Sequence, residues 1–149
     1  MAATVFAAID IGSYEVSMKI FEFSKKVGFR ELNHVRYRLE IGKGVYSSRR
    51  LDHEMVDAIC MILKDFSRMM QEFGVEGYRA CATSAFREMV NPVIIIEQIY
   101  QRTGIRVEIL SNAEQHFLGY KSIAAIEAGF KKMIQKGTAI LDIGGGSLQ

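Results

Sequence analysis

Two segments of the chain share one pattern, in which an apolar run is followed by aspartate, isoleucine, glycine and a hydroxyl residue. Their sequences are Asp10-Ile11-Gly12-Ser13 and Asp142-Ile143-Gly144-Gly145-Gly146-Ser147. An aspartate at a strand end can hold a cation or orient a water molecule, and glycines let successive backbone N–H groups surround an anion. A single turn of this kind is typical of an ordinary tight connection. Two of them in one chain predict a pair of phosphate-binding loops.

Two segments between these loops carry polar side chains suited to phosphate chemistry. In the first, Thr83 and Ser84 precede Arg87, whose planar guanidinium can bind phosphate oxygens, and a helix starting near Ser84 would add its positive N-terminal dipole. In the second, Glu114 could orient or deprotonate the water that hydrolysis of a phosphoanhydride requires. The residues from Ser111 to Glu114 also form a capping box, and from the residues alone this structural interpretation is favoured.

The elements that must position these segments begin as a meander and then alternate. We predict strands over residues 5–10, 16–23, 29–39, 78–82 and 106–110, and a sixth strand over 138–142. Helices are predicted from Asp52 to Gly74, from Asn91 to Gly104 and from Asn112 to about Gly129. The basic residues Lys43, Arg49 and Arg50 are interpreted as a solvated loop. This order predicts an α/β fold of ribonuclease-H-like layout, with a mixed five-stranded sheet and helices on its faces.

The composition excludes several classes of protein. With 149 residues, 49% hydrophobic and 24% charged, the chain is typical of a globular domain. A formal net charge of +2 is too small to predict binding to nucleic acid or to an anionic membrane. The apolar residues near the N-terminus lack a basic flank and run directly into Asp10, so we expect neither a signal peptide nor a membrane span. The cytoplasm is therefore the expected compartment.

The four segments together resemble the exopolyphosphatase and guanosine pentaphosphate phosphohydrolase family, which has the actin-like ATPase fold. They are residues 10–13, 82–88, 109–114 and 142–147. The glycine loops are shared by the whole actin-like superfamily, whereas the Ala-Thr-Ser-Ala-x-Arg segment is more specific to this family. The resemblance implies that residues 1–137 form an N-terminal actin-like lobe. It implies that residues 138–149 supply the first strand and phosphate loop of a second lobe, which this chain truncates.

The resemblance also implies an activity and a role for each matching residue. The activity is hydrolysis of the terminal phosphoanhydride of inorganic polyphosphate, or of the 5′ phosphate of guanosine pentaphosphate, with Mg²⁺ as cofactor. One of these phosphate compounds would be the ligand, no nucleic acid or membrane would be bound, and a homodimer of the full-length protein is left open. The implied catalytic residues are Glu114, Asp142 and Arg87, and the implied metal ligands are Asp10 and Asp142. The implied phosphate-binding residues are Asp10, Gly12, Ser13, Thr83, Ser84, Gly144, Gly145, Gly146 and Ser147.

Three of the motifs depart from the usual family pattern. Tyr14-Glu15 replace Asn-Ser after the first loop, Gln115-His116 replace Glu-Ala after Glu114, and Leu148-Gln149 replace Thr-Glu at the end. These changes motivate an alternative function, a polyphosphate or nucleotide sensor that binds without turnover. A kinase of the same superfamily is a third hypothesis, which the Ala-Thr-Ser-Ala-x-Arg segment disfavours. We expect residues 1–149 alone to have little or no activity, since half of the implied cleft would lie in the second lobe.

Overall fold

A mixed five-stranded sheet organises the chain. The computed structural model describes residues 3–25, 28–127, 129–135 and 137–148. The strands are β1 (Thr4–Ile11), β2 (Glu15–Ser24), β3 (Gly28–Arg38), β4 (Gly77–Ala82) and β5 (Val107–Ile109). They lie in the order β3-β2-β1-β4-β5, with the first three antiparallel and β4 and β5 parallel to β1. The predicted α/β fold class is confirmed.

Six helices are described. They are α1 (Ile41–Ser48), α2 (His53–Glu72), α3 (Ser84–Glu88), α4 (Pro92–Thr103), α5 (Asn112–Ile126) and α6 (Phe130–Ile134). Local signals predict helices α2 and α4 well. The carboxylate of Asp52 accepts a hydrogen bond from the Met55 backbone N–H at 2.7 Å, and α4 ends at Gly104 in the left-handed conformation. No helix of the described residues is long and apolar enough to cross a membrane.

One face of the sheet forms the core with helices α2 and α4. Because side chains of a strand alternate between two faces, every second residue of β1 and β2 points into this layer. Three residues of α2, Ile59, Leu63 and Phe66, are fully buried against it. Each contributes about 2 kcal/mol through burial of apolar surface. The strand residues of the layer are Ala7, Ile9, Ile11, Val16, Met18 and Ile20.

Arg49 and Arg50 lie in an exposed bend, which agrees with the predicted solvated loop. Helix α1, which precedes them, contains Lys43, for which a loop is predicted. Its glycines lower its intrinsic helix propensity, but burial of Ile41 and Val45 outweighs that cost. Gly42 sits so close to the first loop that a Cβ there would lie 3.1 Å from the Cβ of Ser13. The basic residue Lys43 is therefore on a helix that packs beside the first predicted phosphate loop.

The C-terminal part of the chain differs from the prediction in two ways. Helix α5 ends at Ile126 rather than near Gly129, and α6 follows it. The strand predicted over residues 138–142 does not form, and the described residues there make only one isolated antiparallel bridge, between Ile143 and Leu148. A strand is stable when its backbone pairs with a neighbouring strand. None of the described strands pairs with residues 138–142, so their apolar pattern alone does not produce one.

Candidate functional site

The first loop joins β1 to β2 by a tight turn. The backbone N–H of Gly12 donates to the Glu15 carbonyl at 2.9 Å, and a Cβ on Gly12 would lie 3.1 Å from that oxygen. Glycine is therefore the residue that fits this turn without displacing the backbone. Asp10 lies at the end of β1 on the face that α2 and α4 leave uncovered, whereas Ser13 turns inward and is only 6% exposed.

Parallel pairing of β1 with β4 brings the Thr83-Ser84 segment to the same edge of the sheet. Ile11 lies opposite Ala82 at the carboxyl ends of the two strands, and the Thr83 backbone N–H donates to the Ile11 carbonyl at 3.3 Å. Carboxyl ends of neighbouring parallel strands are where open α/β sheets bind ligands. The structure therefore places these two segments side by side.

Three hydroxyl groups link these segments, and we call Ser13, Tyr46 and Ser84 the hydroxyl cluster. The Ser13 hydroxyl oxygen is 2.7 Å from that of Ser84 and 2.7 Å from that of Tyr46, and the Tyr46 hydroxyl donates to Ser84 at 3.1 Å. Both serines are buried, so their hydroxyls bond to the cluster rather than to solvent. Tyr46 could not be predicted from the sequence, because nothing in the pattern shows that α1 packs here.

The second glycine loop lies directly on the first. A Cβ on Gly145 would overlap the Cβ of Tyr14, and a Cβ on Gly146 would overlap the hydroxyl oxygen of Tyr46. The loop is closed by a 2.8 Å hydrogen bond from the Gly144 N–H to the Ser147 carbonyl. Gly145 therefore lets the loop approach the backbone at Tyr14, and Gly146 lets it approach the ring of Tyr46. The two predicted phosphate loops meet in the structure.

Asp10 has an unusual electrostatic environment between the two loops. Its pKa is raised from the ordinary value of 3.8 to about 6, chiefly by desolvation and then by the negative charges of Glu15 and Asp142. Solvent still reaches the side chain, but the surrounding protein replaces much of its hydration. Crowded carboxylates of this kind are stabilised by a bound cation.

Asp10 and Asp142 are the two carboxylates of this site that could hold a magnesium ion. Mg²⁺ is commonly held by one or two carboxylates together with water and substrate phosphates, rather than by a complete set of protein ligands. The described residues contain no group of three or more His, Cys, Asp or Glu side chains that could hold a metal ion. A two-carboxylate site completed by substrate oxygens is therefore the arrangement that these residues allow.

Arg87 connects the middle segments to the second loop. Its Nη1 donates to the backbone carbonyl of Leu110 at 2.8 Å and to the side-chain oxygen of Gln115 at 3.1 Å. The side-chain nitrogen of Gln115 in turn donates to Asp142 at 3.3 Å. Two of the predicted catalytic residues are thus joined through one amide, that of Gln115, which in the sequence is only a departure from the family pattern.

Glu114 forms the capping box that its spacing indicates. Its carboxylate accepts hydrogen bonds from the Ser111 hydroxyl at 2.7 Å and from the Ser111 backbone N–H at 2.9 Å. The Ser111 hydroxyl oxygen accepts the Glu114 N–H at 3.2 Å. Bonds from the Ser111 side chain and backbone hold the pKa of Glu114 below its ordinary value. The structural interpretation is confirmed, and the catalytic role of Glu114 stays a prediction.

A cavity of about 290 Å³ opens beside Asp142. It lies between α5 and the C-terminal segment and is lined by Gln115, His116, Gly119, Tyr120, Ile140 and Asp142. Helix α5 buries none of its residues, and Phe117 is 60% exposed. The amide of Gln115 therefore lies at the boundary between this cavity and the two loops.

Known proteins resemble this chain in sequence and in structure. The sequence model of the Ppx/GppA phosphatase family matches residues 20–149. A bifunctional 3-dehydroquinate synthase/phosphatase from Fusobacterium nucleatum is 25% identical over 154 residues, covering 96% of this chain and 22% of that protein.

Two solved structures extend this likeness. A Ppx/GppA phosphatase of Aquifex aeolicus has a TM-score of 0.81 at 25% identity, over 97% of this chain and 46% of its own. An exopolyphosphatase from Cytophaga hutchinsonii has a TM-score of 0.75 at 24% identity, over 97% of this chain and 45% of its own. The chain thus spans less than half the length of these relatives. The part of each solved structure that matches it has the same actin-like lobe fold. With the family model matching most of its residues, the chain belongs to the Ppx/GppA phosphatase family.

Proposed function

We propose that this chain supplies the phosphate-binding lobe of a phosphohydrolase that cleaves phosphoanhydride bonds of inorganic polyphosphate or guanosine pentaphosphate. The observation that carries the proposal is the meeting of two glycine loops at one sheet edge, with Asp10, Asp142 and Arg87 beside them. Cleavage of a phosphoanhydride needs compensation of phosphate charge and a positioned water. Arg87 would supply the first requirement together with a Mg²⁺ ion held by Asp10 and Asp142.

Each part of the site would bind a different part of the phosphate chain. The N–H groups of Gly12 and Gly144 close their own turns, and the other backbone N–H groups of the glycine loops would surround phosphate oxygens, as such turns do for anions. The guanidinium of Arg87 would bind an oxygen of the transferred group. Asp10 and Asp142 would hold Mg²⁺, which supplies positive charge to the phosphate oxygens when bound.

The attacking water would be oriented by Glu114. Its lowered pKa keeps the carboxylate ionised at neutral pH, so that it can accept a hydrogen bond and then a proton from water. The hydroxyl and the backbone N–H of Ser111 both donate hydrogen bonds to Oε2 of Glu114, which leaves Oε1 to bind the water. The cap would thus also fix the direction of the catalytic carboxylate.

Phosphate release by the full-length protein tests this proposal. With Mg²⁺ present, we expect release from polyphosphate or from guanosine pentaphosphate, and a loss of at least about 100-fold in kcat for Glu114→Gln. Glu72→Gln, at the far end of α2, is the matched control and should leave the rate unchanged. Absence of release from both substrates would contradict the proposal.

The sensor is the second candidate, and the capped state of Glu114 favours it. A carboxylate already engaged by two hydrogen bonds at 2.7 and 2.9 Å is a weaker base than a free one. Calorimetric binding of polyphosphate without phosphate release would support the sensor.

Activity of residues 1–149 alone equal to that of the full-length protein would contradict the expectation that this lobe is inactive by itself.

A further inference from the structure

The side chain of Gln115 connects a cation to an anion. Its amide oxygen accepts from Arg87 Nη1 at 3.1 Å, and its amide nitrogen donates to Asp142 Oδ2 at 3.3 Å. The guanidinium can only donate hydrogen bonds and an ionised carboxylate can only accept them. The orientation of the amide is therefore set by its two partners, because the reversed orientation would break both bonds.

An amide suits this position in a way that a carboxylate does not. Glutamate in place of Gln115 could accept from Arg87, but when ionised it has no hydrogen to donate to Asp142. It would also place a second negative charge beside that aspartate. Gln115 therefore holds Arg87 and Asp142 together without adding charge to either.

Arg87 has no carboxylate partner among the described residues. Its described hydrogen bonds both come from Nη1 and both go to neutral oxygens, those of Leu110 and Gln115. By contrast, Arg79 makes an ion pair with Glu108 at 2.9 Å, and Arg102 makes one with Asp57 at 2.8 Å. The Nε and Nη2 groups of Arg87 donate to no described atom, which leaves them for an anion.

We propose that Gln115 is a positioning residue of the phosphate site, which fixes Arg87 and Asp142 relative to each other and leaves the positive charge of Arg87 for a substrate phosphate. The proposal rests on the proposed function, since it names the group that orients the phosphate-binding arginine. It also gives a role to one departure from the family pattern. In this chain, the neutral amide strengthens anion binding at Arg87.

Binding of pyrophosphate, measured by calorimetry on the full-length protein at constant excess Mg²⁺ and at two salt concentrations, tests the proposal. We expect Gln115→Glu to weaken binding about tenfold and to reduce its dependence on salt, because a new ion pair neutralises Arg87. Gln115→Met has similar length and no charge, so it should weaken binding less, about threefold, with the salt dependence retained. Gln71→Glu makes the same charge change at the end of α2, beyond the amino end of β4, and should bind as the parent does.

The possible outcomes separate the two proposals. If pyrophosphate binds the parent but Gln115→Glu and Gln115→Met bind it equally well, the role of Gln115 is wrong while the proposed function stands. If both variants lose affinity equally with unchanged salt dependence, the charge argument is wrong. If the parent does not bind pyrophosphate, both the phosphate site of the proposed function and the role of Gln115 are overturned. Thermal unfolding of each variant shows whether a loss of affinity reflects a loss of folded protein.

Discussion

Asp10→Asn should make the folded chain more stable at alkaline pH while removing a residue of the phosphate site. In the folded chain the pKa of Asp10 is about 6, against an ordinary value of 3.8 that applies to the unfolded chain. Well below 3.8 the group is protonated in both states and does not affect stability. Above about 6 it is ionised in both states, and the folded state carries the full cost of holding the charge. Stability attributable to Asp10 therefore falls as the pH rises from about 4 to about 6.

The size of the effect follows from the difference between the two pKa values. At about 1.4 kcal/mol per pKa unit, a fully buried group would cost the folded state about 3 kcal/mol. Solvent reaches the Asp10 side chain, and the resulting screening reduces the expected cost to about 1 kcal/mol. Asparagine has a similar shape and no charge. We therefore expect Asp10→Asn to raise the free energy of unfolding by about 1 kcal/mol at pH 8 and by less at pH 5.

Urea unfolding in the presence of a chelator, at pH 5 and pH 8, measures this difference without a contribution from bound metal. Asp65→Asn is the matched control, because Asp65 forms an exposed ion pair with Arg68 on α2. It should change stability by less than about 0.5 kcal/mol at both pH values. If Asp10→Asn were no more stable than the parent at pH 8, the account of crowded, desolvated carboxylates between the loops would be refuted.

Three further substitutions test the surrounding geometry. Tyr46→Phe removes one hydroxyl of the cluster but leaves its two serines bonded to each other, so urea unfolding should show a loss of only about 1 kcal/mol. Gly146→Ala should lift the second loop from Tyr46 and weaken calorimetric pyrophosphate binding at least about tenfold, whereas Gly44→Ala, whose added methyl meets no atom within 4 Å, should not. Ser111→Ala should cost about 1 kcal/mol through loss of the cap. It should also raise the pKa of Glu114 toward its ordinary value in an NMR titration, because the hydroxyl bond that lowers it is gone.

Several elements of the fold could be predicted because their signals are local. A short apolar run predicts β1, alternating apolar residues predict β2, and the cap at Asp52 with its following apolar periodicity predicts α2. The capping box at Ser111 could also be predicted, because its hydrogen bonds join residues three positions apart. The two glycine loops could be recognised as a pair because both have the same pattern, an apolar run followed by Asp-Ile-Gly.

Other features depend on contacts between residues far apart in the chain. Burial overrides the weak helix propensity of α1, and only that packing brings Tyr46 to Ser13, 33 positions away. The raised pKa of Asp10 comes chiefly from desolvation and then from the charges of Glu15 and Asp142, and the bridge made by Gln115 joins residues from three separate segments. The four motifs and their residue types can therefore be recognised in the sequence, because each motif is a short run of neighbouring residues. Their distances, charges and hydrogen-bond partners come only from the folded chain, because the sheet brings the ends of β1 and β4 to one edge and the second glycine loop lies against them.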